Sequence, residues 1–137
     1  MNIETVYKLN LPSVTDDRGI LTSVEELNDI PFKFKRIFYM HDIKKNRGGH
    51  AHVDTDQIII AISGSFKLKV FDGFTEDTYF LNNASEGVYT PRLTFVDFFE
   101  FSSDAVCLVL SNTYYEMNNS LRNINDYMNY INKINKS

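Results

Sequence analysis

The sequence has few cysteines, prolines and glycines, whose abundance would indicate a disulfide-rich, fibrous or disordered protein. Its 137 residues include no Trp, one Cys, three Pro and six Gly. The single cysteine, Cys107, cannot form an intramolecular disulfide, and its apolar neighbours predict a buried structural thiol. No apolar run approaches the roughly 18 residues that span a bilayer, and none follows a basic start. We therefore expect a cytoplasmic protein that has no membrane contact.

An excess of basic residues is also missing. Fourteen Lys and Arg stand against eighteen Asp and Glu, which gives a net charge of −4. This balance argues against bulk electrostatic binding to nucleic acid or anionic lipid. It does not exclude a local cluster of arginines around a phosphorylated small molecule. At this length, we expect a single domain over residues 1–137 with a substantial core.

Aromatic residues and short apolar runs are what the chain has in abundance. Eleven Phe and eight Tyr favour a β-rich interior. Turn-forming segments separate the runs, including Asp16–Gly19, Asn46–Gly49 and Ser85–Gly87. Many short strands at this spacing predict an all-β antiparallel sandwich or barrel. The predicted strands are Ile20–Val24, Phe34–Met40, Gln57–Ser63, Phe66–Phe71, Asp77–Leu81, Val88–Thr90, Val96–Phe101 and Ala105–Ser111.

The end of the chain changes to a helical pattern. Apolar residues follow helical spacing and predict an amphipathic helix over about residues 120–135, packed on the sandwich or on a partner subunit. Asn118, Asn119 and Ser120 are its candidate N-terminal caps. The apolar positions are Leu121, Ile124, Tyr127, Met128, Ile131 and Ile134.

Two of the three histidines lie two residues apart, in the Arg-Gly-Gly-His-Ala-His segment from Arg47 to His52. Residues i and i+2 of an extended strand point to the same face, so His50 and His52 should project side by side. Histidine has the side-chain pKa nearest neutrality, and such a pair suits either a metal site or a proton-transfer site. Hydrogen-bonded interior histidines without a chemical role are the third interpretation.

The spacing downstream of the pair favours proton transfer over metal binding. Four residues separate His52 from Gln57, and six more separate Gln57 from Gly64. This frame resembles the first motif of cupins, which are small jelly-roll barrels, but an amide takes the place of the carboxylate ligand. Residues 87–101 supply no later histidine. Two imidazoles and an amide are a poor ligand set for a divalent cation, so we expect no metal and no cofactor.

Taken together, these and other segments resemble the sugar-nucleotide 3,4-ketoisomerases, small cupins that act on dTDP-4-keto-6-deoxyglucose. The resemblance runs from about Asp17 to Tyr115 and rests on the order of several short motifs. They are Asp17-Arg18-Gly19, Ile30-Pro31-Phe32, Lys35–Tyr39, Arg47–His52, Gln57, Gly64-Ser65, Asp72-Gly73, Gly87–Pro91, Phe101–Asp104 and Val109–Ser111.

The resemblance implies roles for particular residues. It assigns proton transfer to His50 and His52; we take His50 as the base, and the reverse assignment stays open. It also implies a set of residues around the nucleotide sugar, in which the arginines suit phosphate oxygens. Phe95, at the position of a common Trp in relatives, is expected at the pocket wall, where it or Tyr39 can stack on the thymine or the sugar. The substrate-binding set is Arg18, Arg36, Tyr39, Arg47, Gln57, Ser65 and Phe95.

The implied reaction moves a carbonyl from C4 to C3 of the hexose through an enediol, without a cofactor, during the synthesis of deoxyamino sugars for surface glycans such as lipopolysaccharide. The implied assembly is a homodimer whose subunits exchange N-terminal strands. Alternatives are a nucleotide-sugar epimerase of the same fold, a non-catalytic sugar-binding cupin and a metal-dependent cupin oxygenase. Relatives commonly carry Asp-Tyr-Ile-Arg where this chain has Asn119-Ser120-Leu121-Arg122.

Overall fold

The computed structural model describes residues 5–135. Strands account for most of the regular structure, and one α-helix closes the described chain. The elements are β1 (Tyr7–Asn10), β2 (Ser13–Asp16), β3 (Gly19–Thr22), β4 (Arg36–Met40), β5 (Arg47–His52), β6 (Gln57–Ser63), β7 (Phe66–Phe71), β8 (Glu76–Leu81), β9 (Glu86–Thr90), β10 (Phe95–Phe99), β11 (Val106–Ser111), β12 (Ser120–Leu121) and α1 (Ile124–Asn135).

Two five-stranded antiparallel sheets face each other. The first has the order β1-β9-β6-β11-β4, and the second has the order β12-β5-β10-β7-β8. Alternate residues of the strands point between the sheets and form the main core, which contains Ile59, Phe66, Leu68, Val88 and Val109. This confirms the predicted antiparallel β-sandwich with a C-terminal helix.

Each sheet is covered on its outer face by a different part of the chain. Leu11, Ile30 and Phe32 pack on the outer side of the first sheet, against Ile58 and Tyr89. Helix α1 covers the second sheet. The hairpin of β2 and β3 pairs with neither sheet and exposes Val14, Ile20 and Leu21, each more than 60% accessible.

Strand β5 begins earlier than the sequence predicts. Residues 46–49 are predicted to form a turn, but Arg47 and Gly48 already pair with β10, and Gly49 is the extra residue of a bulge. The pairing register shifts at a bulge between Val96 and Asp97, and Gly48 and Gly49 adopt φ angles of 97° and 71°. Glycine tolerates this region at no steric cost, so the glycine pair here belongs to a bulged strand.

The helix begins four residues later than predicted. Ser120 and Leu121 form β12, which pairs with β5, and so they cannot cap a helix. The predicted caps are therefore wrong. Asn123 caps α1: its Oδ1 accepts from the Asp126 amide at 2.8 Å, and its Nδ2 donates to the Asp126 carboxylate at 2.9 Å. Across residues 5–135, none of the helical structure has the length and apolar content of a membrane span.

Candidate active site

A cavity with a volume of about 520 Å³ lies at the open end of the sandwich. Its walls come from β4, β5, the start of β6, β10 and the segment that joins β11 to α1. Both predicted catalytic residues and four of the predicted substrate-binding residues line it. The lining includes Arg36, Phe38, Tyr39, Arg47, His50, His52, Gln57, Phe98, Tyr114, Tyr115, Glu116, Ser120 and Arg122.

Strand alternation places the two histidines together. His50 and His52 face the cavity, whereas Ala51 between them is fully buried on the opposite face, under α1. The two imidazole centroids are 4.9 Å apart, and their planes meet at 80°, edge to face. The two histidines therefore lie on the same face of β5, as the sequence predicts.

Both imidazoles are held in their neutral forms. The pKa of His52 is lowered to about 4, mainly by burial, with smaller contributions from His50, Arg36 and Arg122 and against the opposing effect of Asp54. Burial also lowers the pKa of His50, while a hydrogen bond to the backbone of Gly48 opposes the change. At neutral pH, one imidazole can therefore accept a proton while the other donates one.

Arginines give the cavity a positive lining in an acidic chain. Arg36, Arg47 and Arg122 line it, and Glu116 is the only acidic residue among the lining side chains of the described chain. The guanidinium carbon of Arg36 lies over the rings of Phe38 and Tyr115, 4.5 and 4.9 Å from their centroids. Contact with ring faces leaves the N–H groups at the guanidinium edge available to bind an anion.

Gln57 occupies the position of the cupin carboxylate and is buried at the base of the cavity. Its Nε2 donates to Ser111 Oγ at 3.3 Å. Within residues 5–135, no group of three or more His, Cys, Asp or Glu is arranged to hold a metal ion.

Three predicted substrate-binding residues lie outside this cavity. Arg18 is at the tip of the β2–β3 hairpin, where its exposed guanidinium pairs with Asp16 at 2.6 Å. Ser65 follows β6 at the end opposite to Gln57, roughly 20 Å away at the rise of a strand. Its amide donates to Ser102 Oγ at 2.8 Å.

Phe95 is the third, and strand alternation explains its position. The Phe95 ring packs 5.2 Å from the Tyr127 ring, beneath α1 on the outer face of the second sheet. Val96 and Phe98 point the other way, into the sandwich, and Phe98 lines the cavity. The resemblance predicts Phe95 at the pocket wall because of its matching position in relatives. Position alone does not show to which side of the sheet each residue of β10 points.

The segment after β11 supplies lining residues that the sequence did not assign to the site. Tyr115, Ser120 and Arg122 all face the cavity. Ser120 pairs directly with His52 across β12 and β5, and its Oγ lies 3.2 Å from His52 Nδ1. Periodicity assigned Ser120 and Arg122 to the predicted helix, so only the match of Arg122 to the family's arginine signalled a role, and Tyr115 had no such signal.

A sandwich that opens onto two neutral imidazoles and three arginines defines an enzyme of the cupin type with a site for an anionic small molecule. Comparisons with known proteins agree. The family model described as FdtA, WxcM-like, C-terminal matches residues 4–132. A curated relative, TDP-4-oxo-6-deoxy-alpha-D-glucose-3,4-oxoisomerase of Aneurinibacillus thermoaerophilus, is 33% identical over 129 residues, which cover 93% of each chain.

Solved structures extend the similarity. The sugar 3,4-ketoisomerase QdtA of Thermoanaerobacterium thermosaccharolyticum, crystallised with TDP, is 32% identical with a TM-score of 0.90, over 94% of this chain and 96% of that one. A histidine-to-asparagine variant of QdtA holds TDP-4-keto-6-deoxyglucose. A 3,4-ketoisomerase of Helicobacter canadensis is 32% identical with a TM-score of 0.89, over 93% and 97% of the two chains. The chain belongs to the family of sugar-nucleotide 3,4-ketoisomerases, which confirms the resemblance inferred from the sequence.

Proposed function

We propose that the protein moves the carbonyl of TDP-4-keto-6-deoxyglucose from C4 to C3. The observation that carries this proposal is the pair of neutral imidazoles on one face of β5, in a cavity whose charged lining is mostly arginine. A diphosphate-linked sugar supplies the anion that the arginines fit, and a ketone with an adjacent C–H supplies the proton that the imidazoles can move.

The hydrogen bonds of the two histidines support a proposal for their separate roles. A hydrogen bond that favours the imidazolium runs from an imidazole N–H to an acceptor, so the bond of His50 to the Gly48 backbone ends on the carbonyl. In neutral His50 the other ring nitrogen then carries a lone pair. We assign His50 as the base that removes the C3 proton.

The reaction needs no external electrons. Removal of the C3 proton gives an enediolate, with negative charge on the oxygen at C4. Protonation of that oxygen, loss of the hydroxyl proton at C3 and donation of a proton to carbon C4 complete the exchange, so that C4 is reduced and C3 is oxidised within one molecule. His52 lies beside His50 and is assigned to polarise the C4 oxygen and return the proton.

We assign Arg36, Arg47 and Arg122 to the diphosphate and sugar oxygens, and Tyr39 and Gln57 to the cavity wall around the sugar. Arg36 is the best supported of these, because two aromatic rings fix its plane. A fixed guanidinium binds an oxyanion with less loss of side-chain entropy than a free one.

NMR of TDP-4-keto-6-deoxyglucose incubated in D₂O with the protein tests the proposal. A carbonyl at C3 with deuterium at C4 is expected, and His50→Asn or His52→Asn should lower the rate about 10²- to 10⁴-fold. The matched control is His41→Asn, because His41 is exposed and lies outside the cavity. Inversion at C3 or C5 with the carbonyl still at C4 would identify an epimerase. Binding without deuterium exchange in the wild type would identify a non-catalytic sugar-binding protein.

We also propose a homodimer in which the β2–β3 hairpin of one subunit packs on the other. The hairpin exposes Val14, Ile20 and Leu21, and β4 exposes Ile37 and Tyr39 at the edge of the first sheet. Apolar patches of this kind are typical of surfaces between subunits. Sedimentation equilibrium should give twice the chain mass, and a monomer at micromolar concentration would exclude the arrangement.

We infer a cytoplasmic role in deoxyamino-sugar synthesis for a surface glycan such as lipopolysaccharide. Support comes from the chemistry, since a 3-keto sugar nucleotide is a suitable acceptor for an amino group. Accumulation of the 4-keto sugar in cells that lack the protein is the expected phenotype, and an unchanged glycan would contradict it.

A further inference from the structure

We propose that Ser120 is a positioning residue that donates its hydroxyl hydrogen to His52 Nδ1 and so keeps the other ring nitrogen of His52 protonated toward the substrate. The Ser120 Oγ and His52 Nδ1 atoms are 3.2 Å apart. This inference rests on the proposed isomerase reaction, in which His52 donates, and it assigns a residue that the resemblance leaves without a role.

The backbone fixes Ser120 beside His52. Ser120 and His52 are direct partners in the β12–β5 ladder, and side chains in such pairs lie on the same face of the sheet about 5 Å apart. The Asn119 carbonyl accepts from the Val53 amide at 3.0 Å, and Asn119 Nδ2 donates to the Asp54 carboxylate at 2.8 Å. The position of the hydroxyl is therefore set by its flanking residues.

His52 is also held from its other side. The Leu93 amide donates to the His52 carbonyl at 2.7 Å, so the backbone of β5 cannot shift to give the ring another partner. Among the described residues, the Ser120 hydroxyl has one hydrogen-bond partner, His52 Nδ1. We take the hydroxyl as the donor and Nδ1 as the acceptor; the opposite arrangement, in which Nδ1–H donates to Ser120 Oγ, is the outcome that the tautomer measurement below would reveal.

Neutral His52 carries one ring proton. With Nδ1 accepting from Ser120, that proton is on Nε2, and His52 meets the cavity as a donor. His50 donates to the Gly48 carbonyl and so keeps one nitrogen bare. The two imidazoles are therefore fixed in complementary states, one accepting and one donating, before any substrate arrives. This arrangement supports the assignment of His50 as the base.

The direct test is the tautomer of His52, measured by long-range ¹H–¹⁵N correlation on ¹⁵N-histidine-labelled protein at pH 7. The wild type should show the Nε2–H form, and Ser120→Ala should show a mixture of both forms. An Nδ1–H form in the wild type, or the same spectrum in Ser120→Ala, would overturn the proposal. The measurement needs no substrate.

Kinetics supply the second test. Ser120→Ala should lower kcat about 3- to 10-fold, the equivalent of one net hydrogen bond, with little change in KM. Ser120→Thr keeps a hydroxyl on a β-branched side chain that suits a strand, and it should recover at least half of the activity. Ser103→Ala, at an exposed serine outside the cavity, is the matched control. Equal losses in Ser120→Ala and Ser120→Thr would contradict a role for the hydroxyl.

The acid limb of the kcat profile gives a third measurement. Donation to Nδ1 favours neutral His52, so its loss should move the acid limb toward neutral pH by about 0.5–1 unit. The charged and titratable groups that act on His52 are His50, Asp54, Arg36 and Arg122, all of which the variant retains. An unmoved acid limb would contradict the proposal.

The two proposals fail in different ways. A tautomer that responds to Ser120 in a protein that does not isomerise the sugar would leave the hydrogen bond intact and remove the proposed reaction. Isomerisation with an unresponsive tautomer would do the reverse.

Discussion

At the scale of single residues, the cavity contains two histidines, His50 and His52, whose pKa values are lowered. Burial is the main cause for both, and for His52 the neighbouring imidazole of His50 adds to it. The lowered pKa values also reduce the free energy of unfolding at acidic pH. A histidine that stays neutral in the folded chain and charges freely in the unfolded one draws the equilibrium toward unfolding as the pH falls.

The folding stability should therefore fall as the pH is lowered from 6.5 to about 4, the ordinary and folded values of the His52 pKa. In this range the unfolded chain binds a proton at His52 that the folded chain does not. The loss from His52 alone is at most about 3 kcal/mol. Urea unfolding at several pH values measures it.

Carboxylates also titrate in this range, so the informative quantity is a difference. His52→Gln should lose less stability than the wild type between pH 6.5 and 4.5, while His41→Gln, which changes an exposed imidazole, should follow the wild type. Parallel curves for wild type and His52→Gln would show that burial of His52 has no energetic consequence.

The sequence predicts the orientation of a side chain well where strand alternation alone determines it. It predicts the orientation poorly where the pairing between strands determines which face is the cavity side. His50 and His52 share a face because they are two residues apart, which needs no tertiary information. Phe95 and Phe98 are separated by three residues and so face opposite sides, and only the pairing of β10 with β5 and β7 shows which one faces the cavity. Ser120 depends on a two-residue strand that exists only because β5 is beside it.

At the scale of elements, the bulge of β5 sets the approach of the histidine strand to β10. A Cβ on Gly48 would lie 2.7 Å from the Val96 carbonyl oxygen and 2.9 Å from the Asp97 Cα. Both neighbours are backbone atoms and cannot rotate away. The apolar runs predicted β6 and β7 with their bounds, but the glycines here resemble a turn, and the bulge had no local signal.

Gly48→Ala should destabilise the fold by more than about 2 kcal/mol, because strain at a positive φ adds to the clash with β10. Gly19→Ala is the matched control, since Gly19 also has a positive φ, of 128°, but has open space around its Cβ position. Chemical denaturation of both variants separates the clash from the strain. Equal losses would mean that β5 can move away from β10.

The side chain of Tyr127 connects helix α1 to the second sheet through hydrogen bonds, in addition to the apolar packing of the helix. The Tyr127 hydroxyl lies 2.7 Å from the Leu93 carbonyl and 3.1 Å from the Phe71 carbonyl, with its ring buried beside Phe95. Burial raises the pKa of Tyr127, so the phenol stays protonated and donates throughout the neutral range.

Tyr127→Phe should cost about 1–2 kcal/mol, because it leaves the buried Leu93 carbonyl without its donor. Thermal unfolding measures the loss. Tyr130→Phe provides the comparison, since Tyr130 packs against the same cluster but is only half-buried. A similar loss in both variants would show that the hydrogen bonds of the Tyr127 hydroxyl add no stability beyond the loss of a hydroxyl at a half-buried position.

At the scale of the whole molecule, the homodimer proposal gives Arg18 a place that a single chain does not. Its hairpin extends from the sandwich and its guanidinium is exposed. A partner's cavity is the site to which an exchanged hairpin can bring it. Arg18 and His50 would then serve the same cavity from different subunits.

Mixed dimers test this arrangement. Arg18→Ala and His50→Asn homodimers should both be impaired, whereas a heterodimer of the two has one cavity in which both residues are native. Coexpressed and separately tagged chains should therefore recover up to half of the wild-type activity per dimer. Recovery should be absent if Arg18 acts within its own chain or not at all.

The segment between β11 and α1 has a consequence for how such enzymes diverge. Tyr115, Ser120 and Arg122 face the cavity that contains the two histidines, yet they lie outside the cluster of buried apolar residues that joins the two sheets. Substitutions at Tyr115 or Arg122 can change the lining of the cavity while the two sheets keep their pairing, whereas Ser120 is tied to His52 through β12. Substitutions in these roughly ten residues can therefore alter specificity during evolution, while the core that stabilises the sandwich stays unchanged.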